Sequence, residues 1–272
     1  MDEAVISNLR SLIEISGSLP MSRKLVDPRG LWACDVGVGS AYENYALLSP
    51  ESQDASETEG LIASGLEFFS VGGIPHIWPI FPGLPEQAKA LLERGGARLD
   101  GVFSAMTADI PQEVFAPDDG TVAGAWISDS SDSEKASDWA DAAWQGFDSG
   151  EPAPDGFRQF VSDISLCGKI SLLGLIDKGK GIMASTGLLC QAGGVAGIYY
   201  VSTRHEFRKR GLGLLVMKLL MERGFESGCR RVCLIATPDG RPLYLKCGFK
   251  EAFPVPIMMH EGGATERGAI IR

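Results

Sequence analysis

The stretch from Gly194 to Leu220 constrains the fold more than any other part of this sequence. An apolar segment rich in β-branched and aromatic residues is followed by a basic turn with two glycines and then by an amphipathic helical pattern. Gly211 and Gly213 allow a tight turn and close approach of a ligand, and the first N–H groups of the helix point at that ligand. Arg208 and Arg210 add positive charge in a chain whose formal net charge is -10. The sequence therefore predicts an anion site, for which a pyrophosphate is the natural ligand.

This turn has a specific resemblance to a known motif. The Arg/Gln-x-x-Gly-x-Gly/Ala coenzyme A loop of the GNAT superfamily of N-acetyltransferases is similar to Arg-Lys-Arg-Gly-Leu-Gly at 208–213. A dinucleotide-binding Rossmann turn is the main alternative, but its G-x-G-x-x-G pattern requires a third glycine where Val216 stands. A glycine-rich helix start with solvated arginines is the purely structural alternative.

Further segments extend the resemblance over residues 165–260. Gly-Ile-Tyr-Tyr-Val-Ser-Thr at 197–203 lies where GNAT enzymes splay two parallel strands to admit the pantetheine arm. Pro-Leu-Tyr-Leu-Lys-Cys-Gly-Phe at 242–249 is similar to the family's Leu-Tyr-x-x-x-Gly-Phe signature, and the apolar strand 232–236 lies between the two. More loosely, the whole chain resembles a bacterial two-lobed GNAT group, a likeness that implies no particular substrate.

The resemblance implies an α/β GNAT fold, whose central mixed sheet has splayed parallel strands and is flanked by helices. Hydrophobic periodicity and turn residues give the individual elements. Helices are predicted from residue 5 to near 17 and at 60–69, 85–94, 134–147, 211–227 and 241–246. Extended segments are predicted at 32–36, 44–48, 75–81, 98–106, 170–176, 182–190, 195–201 and 231–237, with a last one ending at 259. Trp139 and Trp144 in the fourth helix are interpreted as core packing, with a pocket wall as the alternative.

The N-terminal part of the chain repeats the element order of the C-terminal part. Ala-Leu-Leu-Glu-Arg-Gly at 90–95 aligns with Leu-Tyr-Leu-Lys-Cys-Gly at 243–248, each in a helix that follows a strand. We therefore expect a smaller, degenerate GNAT-like lobe at 1–117 and a GNAT acetyltransferase domain at 118–272. Leu91 stands where Tyr244 stands in the second copy, so the first lobe is expected to bind rather than to catalyse.

The resemblance also implies roles for individual residues. The backbone of Tyr200 and Val201 would pair with the pantetheine amides of acetyl-CoA, and a strand N–H near Val201 would stabilise the oxyanion. Tyr244 would protonate the departing thiolate, with simple packing beside Phe249 as the alternative. The pyrophosphate would be held by the loop and the start of the helix, namely Arg208, Lys209, Arg210, Gly211, Leu212, Gly213 and Leu214.

The general base departs from the common family pattern. Many GNAT enzymes carry a glutamate on the strand before the loop, yet 195–201 holds no carboxylate. Tyr199, His205 or a chain of waters are the candidates, although His205 is better interpreted as a surface residue. His76 is a further candidate for a cleft residue or a structural imidazole. The family's frequent Asn ahead of the tyrosine helix is also absent, since 237–240 reads Thr-Pro-Asp-Gly.

Composition excludes several classes of protein. A sequence pI near 4.9 disfavours a nucleic-acid partner, which needs clustered Lys and Arg. No apolar run reaches membrane-spanning length, and the acidic start lacks a secretion signal, so we expect a cytoplasmic protein with no membrane partner.

Six cysteines without a C-x-x-C pair predict reduced thiols and no metal, Cys229 and Cys233 being the closest pair. The acidic stretch from 129 to 155 is interpreted as a solvated surface, with steering of a cationic substrate as the alternative.

Three functions follow. The leading hypothesis is an acetyl-CoA-dependent N-acetyltransferase that acetylates a primary amine of a small molecule by direct attack in a ternary complex. The missing strand carboxylate and the degenerate first lobe favour, as the alternative, a non-catalytic acyl-CoA-binding or sensing protein. A protein lysine or N-terminal acetyltransferase is the third hypothesis. The acceptor amine, the acyl length and the oligomeric state stay open, and a homodimer is compatible with the sequence.

Overall fold

A computed structural model describes residues 3–50, 55–111, 122–128, 133–147 and 150–263. The chain forms two compact units. Unit 1 consists of Arg10–Ala105 and Ala252–Arg272, and unit 2 consists of Asp2–Leu9 and Met106–Glu251. The predicted boundary between residues 117 and 118 lies outside the described residues, so the division at that position stays a prediction.

The elements alternate between helices and strands in the manner of an α/β protein. The helices are α1 Glu3–Ser16, α2 Ala55–Ser70, α3 Gln87–Arg94, α4 Ser133–Gly146, α5 Asp155–Ser165, α6 Leu212–Glu226 and α7 Arg241–Lys246. The strands are β1 Arg23–Asp27, β2 Leu31–Asp35, β3 Tyr45–Leu48, β4 His76–Pro79, β5 Arg98–Asp109, β6 Val122–Ile127, β7 Ile170–Asp177, β8 Met183–Ala192, β9 Val195–Thr203, β10 Arg231–Ala236 and β11 Lys250–His260. Short 3-10 turns lie at Ala41–Glu43 and His205–Phe207.

Unit 1 is built on the strand order β1-β2-β3-β4-β11-β5. The first three strands are antiparallel, β3 and β4 are parallel, and β4 pairs antiparallel with β11 from Pro79 opposite Ile257 to His76 opposite His260. The apolar faces of α2 and α3 contribute to a core with these strands, which contains Leu31, Leu48, Phe69, Trp78, Leu92 and Met258. Gly65 lets α2 approach Trp78, because a Cβ at that position would lie 2.4 Å from the indole.

Unit 2 contains the strand order β5-β10-β9-β8-β7-β6. The pairs β6–β7, β7–β8 and β8–β9 are antiparallel, whereas β9 and β10 are parallel, so the sheet is mixed. Helix α6 covers one face of the sheet and buries Val216, Met217 and Leu220 against it. Helices α4 and α5 cover the other face. In β8, Gly187 faces α6, whereas its neighbour Thr186 faces the opposite side, where it bonds Ser202 and Ser202 bonds Ala142 of α4.

The structure confirms the predicted α/β fold and the elements named from periodicity, with ends shifted by a few residues. It adds β1, β6 and α5, which the sequence analysis did not identify. Helix α5 buries Phe157, Phe160, Val161 and Ile164, a spacing of one helical face that was present in the sequence. Strand β1 is a short edge strand with alternating exposure, which gives a weak signal. Within the described ranges, no helix is long and apolar enough to cross a membrane.

Gly187 in β8 provides a test of how closely α6 packs on the sheet. A Cβ at this position would lie 2.6 Å from Leu220 Cδ1 and 2.7 Å from Val216 Cγ1. Because overpacking of a core forces neighbouring side chains out of place, Gly187→Ala is expected to lower the free energy of unfolding by about 1–3 kcal/mol. Gly168→Ala, where no atom lies within 4 Å, is the matched control and should stay within about 1 kcal/mol of the wild type. Urea denaturation measures both, and equal effects would contradict the packing argument.

Candidate active site

The parallel strands β9 and β10 separate along their length. Their ladder pairs Val195 with Arg231, Ala196 with Val232 and Gly197 with Cys233. No later pair is recorded, although both strands are fully described and continue to Thr203 and Ala236. The separation leaves backbone N–H and C=O groups of both strands without their ladder partners. This is the splayed geometry that the resemblance implied for the segment 197–203.

A β-bulge lies on β9 just beyond the point of separation. Tyr199 is opposite Leu188 and Ser202 is opposite Thr186, so that Tyr200 and Val201 together face the single residue Gly187. Tyr200 has a φ of 51°, a left-handed conformation that non-glycine residues rarely adopt. The backbone predicted to bind pantetheine is thereby turned out of the regular β8–β9 ladder.

Buried hydroxyl groups hold this bulge in place. Thr186 Oγ1 donates a hydrogen bond to the carbonyl oxygen of Tyr200 at 3.1 Å and lies 2.9 Å from Ser202 Oγ. Because the carbonyl can only accept, the Thr186 proton is used there. Ser202 Oγ also lies within 3.4 Å of the Ala142 carbonyl of α4, to which it donates. Ser185 Oγ donates to the Ser202 carbonyl at 2.6 Å and bonds the Thr203 hydroxyl at 2.8 Å. Ser185 and Thr186 are fully buried, so these bonds satisfy groups that water does not reach.

The predicted phosphate loop connects β9 to α6 through two residues with positive φ. Lys209 has a φ of 63°, and Gly211, the residue that caps α6, has a φ of 80°. Helix α6 begins at Leu212, and the N–H groups of its first turn have no partner within the helix. Gly213 lies against α7, since a Cβ there would be 3.2 Å from Leu243 Cδ2. The loop and the helix start therefore have the backbone geometry of an anion site.

The two arginines of the loop also fix its conformation. Arg208 donates from Nε to the Thr203 carbonyl at 3.1 Å and from Nη2 to the Gly146 carbonyl at the end of α4 at 2.8 Å. Arg210 donates to the Glu206 carbonyl at 3.1 Å, and its guanidinium lies 5.1 Å from the centre of the Phe207 ring. The sequence suggested their charge but not these contacts, which bind the loop to its surroundings.

Tyr244 lies on the short helix α7 and is half-buried. Its ring centre is 6.1 Å from that of Phe249, and its ring also packs on Gly240. The Tyr244 side chain therefore contributes to local packing. Burial, and to a smaller degree the neighbouring Cys247, raise the pKa of Tyr244 to about 12. The phenol therefore keeps its proton throughout the physiological range. Burial also raises the pKa of the Cys247 thiol to about 11, which makes it a poor nucleophile.

The candidates for the base lie in different environments. The Tyr199 hydroxyl donates a hydrogen bond to Asn8 Oδ1 at 2.9 Å. His205 is exposed in a 3-10 turn before the loop. His76 belongs to unit 1, where its ring stacks on Phe69 at 3.9 Å, and burial lowers its pKa to about 4. His76 is thus a neutral structural imidazole inside unit 1.

Aromatic side chains surround Tyr200 on the side of α4 and α5. Its ring centre is 5.9 Å from those of Trp139 and Phe157 and 6.3 Å from that of Phe147. Trp139 is buried and donates its indole N–H to the Leu173 carbonyl at 2.8 Å, as expected of core packing. Phe147 is 55% exposed and forms the accessible part of this cluster.

No metal site emerges from the part of the chain that the structure describes, because no three His, Cys, Asp or Glu side chains come together. Cys229 and Cys233 are both buried, and the Cys233 thiol lies 3.7 Å from the Ala4 carbonyl. Residues 129–132 and 148–149 of the acidic stretch lie outside the described residues.

Comparison with known proteins decides the family. The model of the acetyltransferase (GNAT) family matches residues 114–249, which include the separating strands, the loop and α7. The chain belongs to this family. The predictions of GNAT membership and of the N-acetyltransferase class are thereby confirmed at the level of the family.

The chain is also similar to individual known proteins. A probable glucosamine 6-phosphate N-acetyltransferase 2 from Oryza sativa subsp. japonica is 52% identical over 44 residues, which span 16% of this chain and 26% of that protein. A GCN5-related N-acetyltransferase from Kribbella flavida has a similar fold, with a TM-score of 0.61 at 17% identity over 95% of this chain and 97% of the other. A tandem GNAT protein from the clavulanic acid biosynthesis pathway has a TM-score of 0.58 at 15% identity over 97% of each chain.

Thr186 provides a test of the hydroxyl support for the bulge. Thr186→Val keeps the shape but leaves the Tyr200 carbonyl and the Ser202 hydroxyl without this partner, at an expected cost of about 1–3 kcal/mol in the free energy of unfolding. Thr186→Ser removes a methyl group and keeps the hydroxyl, so its loss should be nearer about 1 kcal/mol. Chemical denaturation compares the two variants. A Ser variant less stable than the Val variant would show that the hydroxyl contributes nothing.

Proposed function

We propose that this chain is an acetyl-CoA-dependent N-acetyltransferase that transfers an acetyl group to a primary amine of a small molecule by direct attack in a ternary complex. The observation that carries the proposal is the separation of β9 from β10 after Gly197 and Cys233, next to the glycine-capped start of α6. Family membership supports the acetyl donor and the class of reaction. The small-molecule acceptor and the roles of individual residues go beyond the family.

The residues present fit a coenzyme A thioester. The pantetheine arm carries amides that need backbone partners, and the bulged segment Tyr200–Val201 is turned out of the regular β8–β9 ladder next to the separation of β9 from β10. The pyrophosphate needs donors, which the first turn of α6 supplies through Leu212, Gly213 and Leu214. Arg208, Lys209, Arg210 and Gly211 complete the proposed pyrophosphate site, with Lys209 exposed at the turn.

Three contributions of the chain would promote the transfer. The two substrates are held together, which removes much of the entropic cost of their encounter. A backbone N–H near Val201 stabilises the negative charge on the carbonyl oxygen. Tyr244 donates a hydrogen bond to the departing sulfur and delivers its proton there, and its raised pKa of about 12 keeps that proton in place before the reaction. The proton that the amine loses when the amide forms passes through water to the solvent, and the phenol regains its proton from the same source.

One observation favours a second candidate function. Strand β9, Val195–Thr203, contains no carboxylate that would take the proton of an ammonium group. A protein that binds acyl-CoA without turnover has no need of such a base. This alternative shares the coenzyme site with the main proposal and differs from it in the absence of thioester cleavage.

We also propose that the protein is cytoplasmic. All six cysteines are free thiols, which is typical of a reducing compartment. Homodimer formation stays a prediction.

Ligand-dependent thermal stability tests the coenzyme site. Acetyl-CoA and coenzyme A are expected to raise the melting temperature, because a ligand at 100 times its dissociation constant stabilises the folded state by about 2.7 kcal/mol. NAD should leave the melting temperature unchanged at the same concentration. Stabilisation by NAD alone would favour a Rossmann site and contradict the proposal.

Release of coenzyme A thiol tests catalysis. Acetyl-CoA is supplied with putrescine, spermidine, L-lysine, an aminoglycoside, glucosamine or glucosamine 6-phosphate, the last chosen because of the Oryza relative. At least one amine should accelerate thiol release, and Tyr244→Phe should lower kcat by about 100-fold or more while acetyl-CoA affinity changes little. The wild-type kcat should not fall through ionisation of Tyr244 at any pH well below about 12.

The outcomes separate the two candidate functions. Tight binding of acetyl-CoA without thiol release for any amine would support the sensing protein. An unchanged kcat in Tyr244→Phe would remove Tyr244 as the proton donor and leave the transferase assignment intact.

A further inference from the structure

The hairpin between β7 and β8 lies against the predicted phosphate loop. Asp177, the last residue of β7, accepts at Oδ2 a hydrogen bond from the Lys180 backbone N–H at 2.8 Å. Its carbonyl oxygen accepts from the Gly181 N–H, also at 2.8 Å. Its other carboxylate oxygen, Oδ1, lies 3.7 Å from Nη1 of Arg210 in the loop. Asp177 therefore fixes the turn of the hairpin and connects it to the loop.

Two cationic side chains meet on one aromatic ring beside this contact. The Lys180 ammonium and the Arg210 guanidinium each lie 5.1 Å from the centre of the Phe207 ring. The two charges are therefore no more than about 10 Å apart, which is close to the Debye length at 0.1 M salt. Phe207 is 1% exposed and belongs to the core under α6, so the ring is a fixed support for both cations.

The positive charge of Lys180 is not neutralised by the chain. Among the residues that the structure describes, no carboxylate lies within ion-pair distance of its ammonium, since the Asp177 carboxylate bonds the Lys180 backbone and pairs with Arg210. Lys180 is exposed on the hairpin, where a ligand can reach it. The segments 177–181 and 206–211 together carry five basic and two acidic residues, in a chain whose formal net charge is -10. This surface is suited to an anion.

We propose that Lys180, together with Arg210, binds the 3′-phosphate of coenzyme A. This inference rests on the proposed function and assigns a group of the coenzyme that the pyrophosphate site does not bind. The 3′-phosphate is a monoester on the ribose that adjoins the pyrophosphate, and a phosphate monoester carries about 1.5 to 2 negative charges at pH 7. The amides at the start of α6 supply donors for the pyrophosphate, whereas the monoester needs cations of its own. A lysine ammonium supplies a compact charge and three donors.

The test compares two coenzymes that differ only in this phosphate. Calorimetry follows the binding of coenzyme A and of 3′-dephospho-coenzyme A to the full-length protein, and the wild type should bind coenzyme A more tightly. Lys180→Met keeps an unbranched side chain next to Phe207 and removes the charge. It is expected to weaken coenzyme A binding by about 3- to 10-fold, the effect of one exposed charge-assisted contact. Its affinity for 3′-dephospho-coenzyme A should stay within about twofold of the wild type.

Lys169→Met is the matched control. Lys169 directly precedes β7, so the eight residues of the strand place it about 25 Å from the hairpin. This variant changes the net charge by the same amount and should keep the wild-type preference for coenzyme A. Thermal unfolding checks that both variants are folded. Glucosamine and glucosamine 6-phosphate are titrated as well, because a phosphorylated acceptor carries the same chemical group.

The outcomes separate this inference from the proposed function. Equal affinity of the wild type for the two coenzymes would overturn the inference, and so would an unchanged preference in Lys180→Met. Loss of glucosamine 6-phosphate binding in Lys180→Met, with the coenzyme preference intact, would assign the lysine to the acceptor and also overturn it. Absence of binding by either coenzyme would refute the coenzyme site and the inference with it. A Lys180-dependent preference without thiol release would uphold the inference and refute the transferase activity.

Discussion

The separation of two parallel strands is the constraint on which the rest of this structure depends. Backbone N–H and C=O groups in a sheet are normally satisfied by the neighbouring strand, and β9 and β10 lose this satisfaction after three paired residues on each strand. Groups beyond that point need partners outside the β9–β10 ladder, and side chains supply some of them, as Thr186 does for the Tyr200 carbonyl. An extended molecule with amides of its own is a suitable partner for such a segment, and the proposed pantetheine site rests on this geometry.

The opening remains stable because the surrounding contacts are made by buried, fully paired polar groups. Thr186 bonds the carbonyl at the bulge, and Asn8 bonds two carbonyls beside the Tyr199 hydroxyl. These contacts pair polar groups that lie partly or wholly away from water. On the opposite face, Gly187 lets α6 pack closely on the sheet and brings the helix start toward the end of β9.

Features formed by neighbouring residues could be predicted from the sequence, whereas contacts between distant segments could not. The loop at 208–213 and the helix after it are contiguous in sequence, and their spacing alone indicated an anion site. The contacts of Arg208 with Gly146 and of Asn8 with Cys190 join residues far apart in the chain, and no periodicity or motif encodes them. Helix α5 was missed for a different reason, since its apolar spacing is regular and could have been identified from the sequence.

The sequence by itself determined the family, the α/β class, the order of most elements and the position of Tyr244 on a short helix. These features follow from residues within a few positions of each other, where spacing and turn chemistry act directly. Tertiary structure alone decided the bulge at Tyr200, the hydroxyl network beneath it and the pairing of Asn8 with Tyr199. Such features depend on strand register and on helix packing across the sheet, so they appear only when distant segments meet.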